Sequence, residues 1–152
     1  MQFTTTRFGE IEVDPDTIIT FPKGMPGFES CTRYKLLHEA GKPLIQWLQS
    51  LDDPDLSFSV ADPADFNIFY EFSLSDEEAA EIALEGGEDT AVFMMLYKPG
   101  RELPHDHIDP VLKDDVRANA AAPLVINMRK RIGLQTRLAN AERRITIRER
   151  KD

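Results

Sequence analysis

The sequence predicts a mainly β fold: a single-domain antiparallel β pseudo-barrel or sandwich with one or two short helices. Short runs rich in β-branched and aromatic residues recur at roughly ten-residue spacing, and turn residues separate nearly all of them. Only one segment carries both the start and the stop signal of a helix, which argues against an alternating α/β sheet. With 152 residues, 41% of them hydrophobic and nine of them Phe, the chain can bury one core without disulfides or metals. No repeat, low-complexity run or linker divides it. Residues 1–140 are expected to form the barrel domain, and 141–152 a basic extension that reads as an edge strand.

Gln2 to Arg7 and Glu10 to Val13 flank Phe8-Gly9 and predict an opening hairpin, Thr-rich in its first strand and alternating at Ile11 and Val13 in its second. Asp14-Pro15-Asp16 is a turn, and β-branched character returns over Thr17 to Phe21. Two Pro and two Gly in Pro22-Lys23-Gly24-Met25-Pro26-Gly27 require an irregular loop. Strands are then expected at Tyr34 to His38, Ile45 to Leu51, Leu56 to Ala61, Phe69 to Phe72, Thr90 to Tyr97, Pro123 to Asn127, Leu134 to Leu138 and Ile145 to Ile147. The helix is Ser75-Asp76-Glu77-Glu78 onward. Ser75 stands as N-cap and Glu78 at N3, acids lie in the first turn, Ala79, Ile82 and Ala83 make an apolar face, and the helix reaches about Leu84 before Gly86-Gly87. Residues 99–118 read as a polar loop.

Charge is spread unevenly along these elements. Between Lys42 and Lys98 there is no Lys or Arg, against thirteen Asp and Glu. Met128 to Asp152 carries nine Lys and Arg against three Asp and Glu, a net +6, so the total of -9 leaves -15 on residues 1–127. An acidic body repels phosphate backbones and suits a basic partner instead, which argues against direct nucleic-acid binding. The lone Cys31 forms no intramolecular disulfide. There is no signal-peptide pattern and no long apolar window, so the expected location is the cytoplasm, with no membrane partner.

Few residues carry chemistry. His105, His107 and Asp109 are the one metal-like cluster, because alternate residues of an extended loop set two imidazoles on one side beside a carboxylate. A metal-dependent hydrolase built there is the alternative to a non-enzymatic protein. Without a third, distant ligand the cluster reads first as a polar loop tip. Cys31 and His38 could pair as nucleophile and base, but their odd spacing puts them on opposite faces of a strand, and Cys31 reads as a buried small hydrophobe. Asp52 and Asp53 lie in a Pro-containing turn where adjacent carboxylates diverge and stay solvated, so neither pKa is expected to move much. The same turn could serve as an epitope, with Leu51 and Pro54 as an apolar anchor inside an acidic rim. Trp47 and Leu48 are expected in the core.

Four blocks, in this order, resemble the FliW family of flagellar assembly factors: Arg7-Phe8-Gly9-Glu10-Ile11, Ile19 through Glu29, Trp47 through Leu56, and Ala122-Pro123-Leu124-Val125-Ile126-Asn127. The resemblance implies a β-rich pseudo-barrel and a cytoplasmic, non-enzymatic regulator without cofactors. It implies two protein partners: CsrA, a small basic RNA-binding dimer whose repression of flagellin mRNA is relieved, and flagellin itself, in a chaperone-like partner switch. On this reading Leu51, Asp52, Asp53, Asp55, Asp62 and Glu71 are the expected contributors to CsrA binding, with Asn119, Ile126 and Asn127 as secondary candidates.

Overall fold

The computed structural model describes residues 1–39, 41–86, 89–97, 111–113, 116–138 and 144–147. β1 (Gln2–Thr5) and β2 (Gly9–Glu12) form the expected hairpin. The β-branched run after it yields only a short β3 (Ile19–Thr20). Asp14 caps the start of a 3-10 turn at Pro15–Thr17, and Pro15 at its first position commits those residues to the turn. β4 (Arg33–Glu39), β5 (Lys42–Ser50) and β6 (Ser57–Ala61) follow as an antiparallel meander. A second 3-10 turn (Pro63–Phe66), β7 (Ile68–Glu71) and helix α1 (Asp76–Glu81) lead into β8 (Thr90–Tyr97). β9 (Val111–Lys113), β10 (Val116–Asn127), β11 (Ile132–Gln135) and β12 (Arg144–Ile147) complete the described elements.

One sheet closes on itself. Its order runs β11-β3-β4-β5-β6-β8-β10, and β11 pairs with both β10 and β3, while β9 lies outside on β10. The β11–β3 pair is parallel, the one departure from the antiparallel pattern among the described pairings. Strand faces explain the sequence. In β8, Ala91, Phe93 and Met95 face the barrel interior with Phe21, Tyr34, Leu48, Val60, Leu124 and Ile126. Val92, Met94 and Leu96 face outward against two further clusters, one around Ile68 and one around Ile82. The second 3-10 turn, β7 and α1 thus cover one outer face, and the run Ala91 to Leu96 is apolar on both sides because both sides are packed. Tyr34 is fully buried in the interior, its hydroxyl donating to the Cys31 carbonyl at 3.1 Å, and burial pushes its phenol up to about 12.

Several expectations are corrected. Val116 to Ala122 reads in sequence as polar loop or as lying outside any strand, but it is the first half of β10; Val116 to Asn119 are held by pairing with β8 and β9, and the Ala121 and Ala122 carbonyls accept from the Leu138 amide and the Gln135 side chain. β11 begins at Ile132 rather than Leu134. Helix α1 has the full Ser75/Glu78 capping box but stops at Glu81. Asn127 donates to the Ile82 carbonyl at 2.9 Å and Lys130 to that of Ala83 at 2.8 Å, so two side chains take the terminal carbonyls and Ala83 turns into the left-handed region at φ 55°. Trp47 is half-buried on the outer face of β5, with the Phe8 ring edge-on at 5.8 Å and the Arg7 guanidinium 4.3 Å from its ring centre. Leu48, on the opposite face, supplies the core as expected.

Candidate functional site

Register brings three described segments to one end of the barrel. β4 begins opposite the end of β5, β6 leaves the β5–β6 turn, and β8 ends where β10 begins, so residues 21–32, 51–56 and the tail of β11 converge there.

The β5–β6 turn is tightly fixed. The Ser50 hydroxyl accepts from the Asp52 and Asp53 amides at 3.1 and 3.0 Å, and the Asp53 carboxylate accepts from the Asp55 amide at 2.9 Å. Beneath it the buried Gln49 amide donates to the carbonyls of Ser50, Pro54 and Leu56. Thr6 in the β1–β2 turn donates its amide to the Pro54 carbonyl at 3.0 Å and its hydroxyl to Asp55. Asp52 is not the free acid the sequence suggested. Its carboxylate accepts from Thr32 and Arg33 amides at 2.9 and 3.0 Å and, on the other oxygen, from the Arg33 guanidinium at 3.1 and 2.8 Å. Partial burial pulls its pKa up, but the side-chain and backbone bonds from Arg33 and the amide of Thr32 outweigh that and hold it below the usual carboxylate range.

The remaining candidates separate. Leu51 is 4% exposed, with its amide bonded to the Arg33 carbonyl, so it cannot be the apolar anchor of an epitope; it is core. Ile126 and Asn127 are 0% exposed and offer no surface. Ile126 faces the barrel interior, and Asn127, besides capping α1, accepts from the Arg129 and Lys130 amides. Pro54 and Asp55 are exposed on the turn's outer side, and Asp53 is half-buried with one carboxylate oxygen on the Asp55 amide. Asp62 is exposed but caps the 3-10 turn through the Ala64 amide, beyond the far end of β6, which at about 3.3 Å per residue over five residues separates it from Asp55 by roughly 17 Å or more. Glu71 is exposed on β7. Cys31 is buried just before β4 whereas His38 is exposed near its other end, so they form no dyad. His105, His107 and Asp109 lie outside the described residues. Among the described residues no group of three ligand-type side chains could hold a metal.

Asn119 leads to a feature the sequence did not announce. Between Asn119 and Leu124 β10 advances five residues while its partner β8 advances two, from Met95 to Phe93. The three extra residues form a wide bulge and, being odd in number, reverse the faces: Ala118 and Ala120 face outward, yet Leu124 and Ile126 face the interior. The bulge opens the barrel into a mouth of about 860 Å³ lined by Met25, Phe28, Phe58, Met95, Asn119 and Arg137, among others. Its lip is rigid. Gly24 donates to the Phe21 carbonyl, Phe28 to Met25, Cys31 to Phe28, and the Glu29 carboxylate accepts from the Gly27 amide. That last bond, with the Glu29 amide's own, lowers the Glu29 pKa. The lip holds Phe28 41% exposed, edge-on to Phe58 at 5.3 Å.

The family model for FliW protein matches residues 2–150 of this chain. The chain belongs to the FliW family. A flagellar assembly factor FliW of Chromobacterium violaceum is 46% identical over 137 residues, 89% of this chain and 91% of that protein. One from Azoarcus sp. strain BH72 is 40% identical over 151 residues, 99% of each. A crystal structure of the flagellar assembly factor FliW superposes with a TM-score of 0.74 at 31% identity, covering 94% of this chain and 92% of that one. The mainly β fold expected from the strand pattern, and the barrel-like FliW fold implied by the resemblance, are therefore the fold observed. Both the fixed turn and the lip fall within blocks that carried the resemblance, but the mouth depends as well on the β10 bulge and on Arg137, neither of which the alternation of apolar residues reveals.

Proposed function

We propose that this FliW-family protein is a cytoplasmic, non-enzymatic regulator that binds CsrA, relieving repression of flagellin mRNA, and binds flagellin as its alternate partner. The observation that carries this reading is the β5–β6 turn, in which Ser50, Gln49, Thr6 and the Asp52–Arg33 pair fix the backbone while Asp55 is exposed and Asp53 half-buried beside it. A pre-fixed pair of acids costs little ordering on binding and attracts a basic dimer from a distance. Asn119 at the same end is a secondary contact, and Asp62 and Glu71 contribute through the long-range field. Among the described residues no helix is long and apolar enough to cross a membrane.

Titration calorimetry against purified CsrA tests the assignment. Reversing Asp53 and Asp55 to Lys, with the Asp52–Arg33 pair left intact, is expected to weaken binding by about 1–2 kcal/mol per charge and to flatten its dependence on salt. Unchanged affinity at both low and high salt sinks the role of the turn.

A further inference from the structure

β6 and β8 pair over two residues only, Val60 with Met95 and Ala61 with Met94. The sequence ends β6 there. Asp62 accepts from the Ala64 amide to cap the next 3-10 turn, and Pro63, which has no N–H to give a ladder, turns the chain out of the sheet. β8 is longer than this pairing. Its first four residues, 90–93, pair with β10 along one edge, and among the described residues their other edge has no strand partner. Successive residues of a strand turn their N–H and C=O groups to alternate edges, so two of the four offer theirs to the open side. That side is a cleft of about 410 Å³, lined by Pro63, Ile68, Phe69 and Tyr70 beside β8. Free strand edges are usually blunted by charge or Pro, and Thr90-Ala91-Val92-Phe93 carries neither.

We propose that this cleft takes an extended segment of a partner protein, which adds to residues 90–93 of β8 as the strand that β6 stops short of supplying. The open edge selects the occupant's shape, because only an extended backbone matches its alternating donors and acceptors. Alternate apolar side chains of the segment seat against Tyr70 and against Phe69, which is 40% exposed. Asp62 selects its charge. Asp62 is exposed, follows the Ala61 that pairs with Met94, and is the one charged group among the described residues of the lining, so a basic side chain at that end is favoured over an acidic one. The cleft lies at the end of β6 away from the Asp53–Asp55 turn and shares no lining residue with the barrel mouth, and its occupant does not depend on what the turn binds.

Fluorescence anisotropy and backbone amide hydrogen exchange on the full chain test this with labelled, end-blocked hexapeptides that alternate Val and Thr and carry Lys at one end or the other. With peptide bound, two alternate amides among residues 90–93 are expected to exchange about tenfold or more slowly, as new ladder bonds confer. N-methylation of one alternate set of peptide residues weakens binding about tenfold or more, and methylation of the other set leaves it within about twofold, because an added strand uses one of its own edges. Replacing Lys by Glu weakens binding, and Asp62→Asn, which keeps the cap, removes that preference for Lys. No binding by any peptide, equal losses from the two methylated sets, protection of amides elsewhere in place of residues 90–93, or protection that grows with protein concentration alone, as when two copies pair, overturns the proposal.

Discussion

At the scale of single residues, adjacent acids with the same letter do different jobs. Asp52 and Asp53 read alike in sequence as solvated carboxylates, because spacing shows that they diverge but not which one meets a cation brought from β4. The structure gives Asp52 to Arg33 and to two amides, and leaves Asp53 half-buried with no cation among the described residues, its carboxylate accepting from the Asp55 amide. Leu51 reads in sequence as the apolar anchor of an acidic turn, and Ile126 and Asn127 as secondary contacts, but burial, which a motif does not display, removes all three. Asp52→Asn is expected to destabilise the fold by about 1 kcal/mol, a charge-assisted pair discounted for its partial exposure. The sign with pH follows from its lowered pKa. The native carboxylate stays ionised below the unfolded value of about 3.9, so its contribution is complete above that pH and disappears as pH falls through the lower native value. The gap in urea midpoint between the parent and Asp52→Asn should therefore hold steady above about pH 4 and narrow as the pH falls further; a gap that stays constant to the acid end would refute this account.

Among the elements, those with strict signals were legible and those held by partners were not. The hairpin, the meander from β4 to β6, β8 and the capping box of α1 all follow from β-branched and apolar runs bounded by turns or from capping residues. The first half of β10 does not, since Ala118 to Ala122 has no strand preference of its own, and pairing as far as Asn119 with hydrogen bonds to Ala121 and Ala122 from residues after β11 and from Gln135 keeps it extended. The lip is an intermediate case. Its Pro and Gly residues announce a loop, but its tightness is a matter of tertiary approach: a Cβ on Gly24 would lie 2.6 Å from the Glu29 Cα and 2.7 Å from the Phe28 carbonyl oxygen. Both Gly24 (φ +65°) and Gly27 (φ +88°) have left-handed backbones, but a Cβ on Gly27 meets nothing within 4 Å. Gly27→Ala is then expected to cost about 1 kcal/mol for the backbone alone, and Gly24→Ala about 3 kcal/mol or more, because backbone atoms must also shift. Denaturant midpoints compared at a common m-value measure the difference; equal losses would show that the lip yields more easily than its hydrogen bonds indicate.

Across the whole molecule, the lack of cations between Lys42 and Lys98 first pointed to a basic partner, and the fold refines that inference without enlarging it. Of the thirteen acids in that stretch, Asp52, Glu81 and Glu85 lie within ion-pair distance of Arg33, Lys23 and Lys130, cations from elsewhere in the chain. The stretch therefore serves partly as internal glue, and the charge available to a partner is smaller than composition suggests. Position matters more: Asp53 and Asp55 share one end of the barrel with an apolar mouth, whereas Asp62 lies beyond the other end of β6. Two modes of attachment at one end make different demands on solvent. Contacts made through the acids should lose strength as the screening length shrinks to about 8 Å at physiological ionic strength, while apolar burial in the mouth should not. If CsrA uses the turn and flagellin the apolar surface, raising salt from low to physiological levels should weaken CsrA binding about tenfold and leave flagellin binding within a factor of about two. Raising salt at fixed concentrations of all three proteins should then drive exchange from CsrA to flagellin, which size-exclusion chromatography resolves directly. A parallel fall in both affinities would place both partners on the acids and remove the physical basis for assigning them to different surfaces.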